Sequence, residues 1–490
     1  MNDLVALARS IIVAGFPGTV VDDSLPLLGG YVLFARNGTS VRDVRPLTDA
    51  LRERCRELPP LVAIDQEGGR VARLQKGVEP MPPMMALGAV DDVDLAGRAG
   101  EQTAFDLRRA GCTLDFSPVL DLAVEPGNVA IGTRSLGSDP QLVGRLGHAF
   151  ARGMLRGGML PCYKHFPGHG ATAVDSHVAL PVVDRDLEAL RARDLVPFEL
   201  VAAGAPAMMS AHVLVRALDA ERPATLSPAA LTDLLRGALG FRGAIFTDCM
   251  EMQAIAARGT VEAAVSALAA GADALVFSHD LALALDAADA VAAAVRSGRV
   301  ARERLEEASE RVRRLRAAAA VPLDMDAFAP HPGVGREIGR RAVTLVRGVA
   351  HADPLASFAV AFGGERATLK HEAPALVETL VALDPSAQEV ETLLEGLAAS
   401  RRRPLVLAKR AHLHRLQARA AGEILCRYPD ALVASIAEPF DLALFPQARH
   451  LVAAYGDDLA ATGGLADVLF GGSMPEGRLP VEVPGVSAAL

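Results

Sequence analysis

Tryptophan is absent from this 490-residue chain, tyrosine occurs four times, and aromatics make up 4% of it although 51% is hydrophobic. The core is therefore expected to be aliphatic, and an open polysaccharide cleft paved with indole platforms is argued against. An excess of basic charge is missing too: 50 Lys plus Arg against 59 Asp plus Glu leave a formal charge of −9. Such a surface offers no footprint for a phosphate backbone, so nucleic acid is not an expected partner. The five cysteines, Cys55, Cys112, Cys162, Cys249 and Cys426, are odd in number, dispersed and never in a CxxC pair. Neither a disulfide framework nor a zinc knuckle follows, and a reducing compartment fits best. Long uninterrupted apolar runs are also lacking; the Ala-rich stretch 281–296 carries Asp286 and Asp289 and reads as a surface helix rather than a membrane span. At the N-terminus no basic stretch precedes the apolar run, which Asp3 and Arg9 interrupt, so no signal peptide is read and the cytoplasm is the expected compartment.

What the chain does contain is a regular alternation. Eight short aliphatic or β-branched runs, at 10–15, 31–36, 61–65, 113–121, 160–166, 205–213, 243–248 and 272–278, each precede a stretch with helical spacing. Eight strand–helix units in about 280 residues is the arithmetic of a (β/α)8 barrel of the TIM type. A doubly wound open sheet is the rival, but no GxGxxG follows the first strand. The amphipathic segments 92–111, 186–204 and 227–240 are expected helices, the last opening on a Ser-Pro cap. The reading is thus a barrel domain over 1–320, a linker over 321–340 that opens Pro-rich, and a smaller α/β sandwich domain over 341–490. Strands of that second domain are expected at 358–364, 404–410, 431–436 and 450–456.

In such a barrel the polar residues at the carboxyl ends of strands face the site. Asp65, Asp121, Lys164, His165, His212 and Asp248 all fall at such ends. A strand-end Asp is often a helix N-cap, and that reading stays open for Asp121 and His212. It fits poorly for Lys164 and His165, which would otherwise be buried without evident partners. The densest cluster is KHFPGHGATAVDSH, residues 164–177, which leaves the fifth strand as a Gly- and Pro-rich loop. There Asp175 stands two residues from His177, close enough to orient the ring and raise its proton affinity, making His177 a candidate general acid/base. A metal site built from His165, His169, His177 and Asp175 is the competing reading; it would suit zinc or iron, but Lys164 would place a cation beside it.

The strings IDQEGGRVAR (64–73), GTRSLGSDP (132–140), KHFPGHGATAVDSH (164–177), MMSAHV (208–213) and FTDCMEM (246–252) resemble, in order and spacing, the family 3 glycoside hydrolases. The resemblance is closest to the β-N-acetylhexosaminidase branch and covers most of residues 1–345. GGSMPEGRLPVEVPG is similar to the segment closing the second domain of two-domain members. The resemblance implies that Asp248 is the catalytic nucleophile and His177 the acid/base with Asp175 as its partner. It further implies that Asp65, Arg73, Arg134, Lys164 and His165 hold the hydroxyls and N-acetyl group of a terminal sugar. Cys249, directly after Asp248, departs from the usual acidic or small residue.

Retaining glycosidases ordinarily use two carboxylates about 5–5.5 Å apart. A histidine in place of the second, with an ordinary pKa of about 6.5, serves as acid and then as base near neutral pH without the burial that a Glu would need. Imidazole would also not repel an incoming phosphate, so phosphorolysis is the runner-up to hydrolysis. A non-catalytic sugar-binding protein and a metal-dependent hydrolase are the readings from other classes. The expected function is removal of terminal β-linked N-acetylglucosamine from small soluble glycans, such as cell-wall turnover fragments, with no cofactor, no metal and no membrane or nucleic-acid partner. Residues 341–490 are expected to have a structural part. In this light the missing indoles point to an exo-acting enzyme that grips one sugar through charged hydrogen bonds.

Overall fold

The computed structural model describes residues 2–55, 57–172, 179–321, 330–363 and 369–486. Eight strands close a barrel: β1 (Ile12–Gly15), β2 (Gly30–Leu33), β3 (Leu61–Ile64), β4 (Leu114–Asp115), β5 (Leu160–Phe166), β6 (Ala207–Ser210), β7 (Ala244–Cys249) and β8 (Ala274–Phe277). Each is parallel to its sequence neighbours, and β8 closes on β1. Strands such as Leu61–Ile64 are buried along their whole length. That is why they read as continuous aliphatic runs rather than alternating ones. All eight expected runs overlap a strand, although the fourth strand is far shorter than its run. Pro118 has no N–H to give a ladder, so regular pairing in β4 stops at Asp115. The chain still follows β5: the N–H of Lys164 donates to the carbonyl of Pro118 at 3.2 Å, and that of Leu120 to the carbonyl of Lys164 at 2.6 Å.

Helices α1 (Val93–Arg109) and α2 (Pro140–Arg156) cover one side of the barrel, and α3 (Leu281–Arg296) and α4 (Arg302–Ala319) follow β8. No helix among the described residues is long and apolar enough to cross a membrane. The aliphatic core follows from composition: Ala, Leu, Val and Ile dominate it, and Tyr31, Tyr163 and Tyr455 are spent inside it.

The expected linker is in part a helix, α5 (Val334–Ala342), which buries Val334, Ile338 and Ala342 at intervals of four. Its glycines let it approach closely. A Cβ on Gly339 would lie 2.3 Å from the carbonyl of Ala460, in the helix α6 (Leu459–Leu469) that ends the second domain. On its other face Glu337 takes a two-pronged ion pair from Arg98 of α1, at 2.9 and 3.0 Å. Beyond α5 lies a six-stranded sheet of β9 (Thr344–Arg347), β10 (Ser357–Phe362), β11 (Val377–Val381), β12 (Arg403–Ala408), β13 (Leu432–Ser435) and β14 (His450–Ala453). Its spatial order is β9-β14-β13-β12-β10-β11, with only β9 antiparallel to its neighbour. Four of these strands sit in the expected runs; the two edges, β9 and β11, do not.

Candidate active site

At the carboxyl ends of the barrel strands lies a cavity of about 510 Å³, and Asp65, Arg73, Arg134, Lys164, His165 and Asp248 all line it. Asp65 directly follows β3, Lys164 and His165 close β5, and Asp248 closes β7. Arg73 and Arg134 arrive on loops, the latter ending a short helical turn, Gly132–Arg134. The cavity also takes in His169, Phe34 and Phe116.

Charges of opposite sign alternate across its floor. The Lys164 ammonium is buried and reaches Asp65 Oδ1 at 3.0 Å and Glu67 Oε1 at 2.6 Å. Arg134 grips Glu67 through two hydrogen bonds of 2.8 Å, and Arg73 donates to Asp65 Oδ2 at 3.1 Å. Burial pushes the Glu67 carboxyl up, but Arg134 and Lys164 outweigh it and hold the group well below the usual carboxylate range. Asp65 is lowered in the same contest, by Lys164 and Arg73. Glu67 is the partner that Lys164 lacked in the sequence. It stands two residues after Asp65, on the same face of an extended segment, and that period was the available signal.

Asp121 caps no helix. Its Oδ2 lies 2.6 Å from Nδ1 of His165 and accepts that residue's N–H at 3.2 Å, while its Oδ1 accepts the N–H of His169 at 2.6 Å. Burial raises the Asp121 carboxyl, but His165 and His169 bring it below the ordinary value. With an ionised acceptor beside it, Nδ1 of His165 is assigned as a donor, and Nε2 lies 3.5 Å from an Arg134 nitrogen. The N-cap reading of His212 is corrected likewise. Its Nδ1 lies 2.9 Å from Thr225 Oγ1 and its Nε2 2.9 Å from the carbonyl of Cys249, next to Asp248.

Asp248 accepts the N–H of Cys249 at 2.7 Å. Burial pushes its carboxyl up; His165, His212, that N–H and Lys164 more than compensate, so the group is held ionised. The Cys249 thiol, pushed up to about 12 by burial, stays neutral and points its Sγ at Glu251 Oε2, 3.6 Å away. Glu251 in turn accepts the N–H groups of Ser278, His279 and Asp280, tying the end of β7 to the loop after β8.

The proposed acid/base pair, Asp175 and His177, lies outside the described residues. The loop that leads to it is anchored beside the cavity: Asn128 donates from Nδ2 to the carbonyls of His169 at 2.9 Å and Gly170 at 3.2 Å. Two members of the metal alternative, His177 and Asp175, are likewise undescribed, and Nδ1 of His165 is already taken up by Asp121. Among the described residues no group of three or more His, Cys, Asp or Glu is placed to hold a metal ion.

The model of the glycosyl hydrolase family 3 N-terminal domain matches residues 18–315. A β-hexosaminidase of Chromobacterium violaceum is 44% identical over 272 residues, 53% of this chain and 75% of that protein. The structure of a glycoside hydrolase family 3 β-N-acetylglucosaminidase from a Paenibacillus species superposes with a TM-score of 0.90 at 33% identity, covering 97% of this chain and 98% of that one. NagZ from Neisseria gonorrhoeae, solved in complex with N-trifluoroacetyl-D-glucosamine, is 31% identical and covers 63% of this chain and 98% of its own, with a TM-score of 0.53.

Proposed function

The chain belongs to glycosyl hydrolase family 3 as a glycoside hydrolase of the β-N-acetylhexosaminidase kind, and from that premise we propose that it is an exo-acting, retaining β-N-acetylglucosaminidase. The observation that carries this reading is an ionised carboxylate, Asp248, facing a cavity whose other walls are the charged groups of Asp65, Arg73, Arg134, Lys164 and His165. A volume of about 510 Å³ falls in the range of about 300–1,000 Å³ usual for small-molecule sites.

In the proposed reaction a terminal N-acetylglucosamine is held by hydrogen bonds from Lys164, Arg73 and Arg134 and by the Asp65 carboxylate. Asp248 attacks the anomeric carbon and the bond to the leaving oxygen breaks, with His177 donating the proton that oxygen needs. Asp175 orients the imidazole. His177 then takes a proton from water, which attacks the glycosyl ester and frees Asp248 with the anomeric configuration retained. His165 keeps the nucleophile ionised and is itself fixed by Asp121. The small cavity and the scarcity of aromatic platforms favour short soluble glycans, such as cell-wall turnover fragments, as substrates.

The test compares an aryl N-acetyl-β-glucosaminide with the matching glucoside, with and without phosphate. Release of free N-acetylglucosamine that is lost in Asp248→Ala and His177→Ala is the expected result. The sugar 1-phosphate as main product would replace the hydrolase reading by a phosphorylase, and equal turnover of the glucoside would remove the N-acetyl specificity.

A further inference from the structure

One loop of the barrel, residues 126–134, ends in Arg134 and is gripped from outside by the second domain at both of its ends. Near its start the carbonyl of Pro126 lies 3.1 Å from Nε2 of His412, whose Nδ1 is 2.6 Å from Asp441. Near its end the N–H of Thr133 donates to Glu438 Oε1 at 3.3 Å. Glu438 is buried and does not move freely: Arg410 holds both of its oxygens, at 3.0 and 3.2 Å. The fit is close enough to require a glycine. Gly132 has φ +48°, and a Cβ there would lie 2.0 Å from Glu438 Oε1.

Between these two grips the loop does two things for the cavity. Its Ala130 carbonyl accepts a hydrogen bond of 2.8 Å from Arg134, setting the angle of that guanidinium toward Glu67. Its Asn128 holds the carbonyls of His169 and Gly170. His412 follows β12 and Glu438 follows β13, so the carboxyl ends of the second sheet face this loop.

We propose that Glu438, held by Arg410, is a positioning residue of the second domain that fixes the 126–134 loop, and through it Arg134 and the 169–170 backbone. Residues 341–490 then have a part in turnover and not only in stability. The inference rests on Arg134 binding the sugar as proposed above.

Four proteins test it: the wild type, Glu438→Ala, Arg134→Ala and the double variant, each measured for kcat, KM and thermal unfolding. A displacement of about 1 Å in a positioning group costs on the order of 100-fold. The expected result is a kcat/KM for folded Glu438→Ala that falls about 10- to 100-fold, and a double variant little worse than Arg134→Ala alone, because both remove one function. Glu438→Gln, which keeps an oxygen for the Thr133 N–H, should recover most of the loss. Kinetics within about twofold of wild type, or losses that simply multiply in the double variant, would overturn the proposal. Should Glu438→Ala fail to fold, Arg410→Gln takes its place with the same expected outcomes. Backbone hydrogen exchange supplies a readout independent of turnover: residues 126–134 should exchange faster in the Glu438 variant, and unchanged protection overturns the tether. A wild type that releases no N-acetylglucosamine overturns the function instead and leaves that second measurement intact.

Discussion

Lys164 is the residue around which the charge balance of the cavity is arranged. A buried ammonium between two carboxylates, Asp65 and Glu67, is tolerable because each carboxylate also faces an arginine. One carboxyl nearby lacks such help. Asp115 is buried, its Oδ1 accepts the Gln66 N–H at 2.9 Å, and its Oδ2 has no partner among the described residues. Burial pushes it up to about 8, with the Gln66 N–H and Lys164 pulling the other way. In the unfolded chain an Asp ionises near 3.9. Between those values the folded state therefore binds more protons than the unfolded state. Its contribution to stability is full below the unfolded value and is lost as pH rises toward 8, with a slope approaching about 1.4 kcal/mol per pH unit. Asp115→Asn keeps an oxygen for Gln66 and removes the titration. Urea unfolding at a series of pH values should show the variant gaining on the wild type from pH 5 to 8; a difference that stays flat or shrinks would refute the assignment.

At the scale of elements, the barrel was legible because each strand is a short aliphatic run, and the third to seventh of these runs end in a residue with chemistry. The rule that strand ends face the site brought Asp65, Lys164, His165 and Asp248 together, and the structure gathers them around one cavity. It could not separate a group that lines the cavity from one that supports it, so Asp121 and His212 carried a helix-cap reading that their contacts with His165 and Cys249 correct. The edges of the second sheet escaped for a different reason. Val377–Val381 is β-branched as a strand should be, but it is a half-exposed edge with Glu378 inside it and so lacks the continuous aliphatic run that marks the buried strands. Glu438 was beyond reach, since nothing local announces a contact made 305 positions away. Glu251 was near enough to find, three residues after Asp248, and it is the joint between two barrel loops. Its carboxylate accepts three backbone N–H groups in the loop where His279 stacks on Phe34, ring centres 5.7 Å apart. Glu251→Ala leaves the part-buried Ser278 N–H without its acceptor, while water can reach those of His279 and Asp280, and should cost about 1–2 kcal/mol in urea unfolding. It should also raise KM, because Phe34 and His279 form a wall of the cavity. Unchanged stability together with an unchanged KM would show that the joint carries no load.

At the scale of the whole molecule, the barrel and the second domain are joined through α5 by packing as well as by connectivity. A single continuous set of buried side chains runs from Ile12 and Val13 in the barrel through Ile338 of α5 to Val360, Phe362 and Phe440 in the second domain. Arg98 and Glu337 clamp α5 to the barrel, and Arg336 and Asp467 clamp it to α6, at 2.8 and 2.9 Å. Two domains sharing a core in this way should melt together, so one calorimetric transition is expected, with van't Hoff and calorimetric enthalpies in agreement. Calorimetry is the suitable probe because a chain without tryptophan gives no indole signal. The place to separate the domains is Gly339, where the atom in the way of a side chain is the backbone carbonyl of Ala460, which cannot swing aside. Gly339→Val overpacks that contact at a cost of about 1–3 kcal/mol, concentrated at the junction. It should lower the melting temperature and split the transition, the second domain leaving first, because α6 belongs to it while α5 stays clamped to α1. Loss of the second domain's grip on residues 126–134 then predicts that activity falls at the lower of the two transitions, while the barrel is still folded. Two transitions in the wild type, or activity in Gly339→Val that survives to the upper one, would show that the domains are mechanically independent.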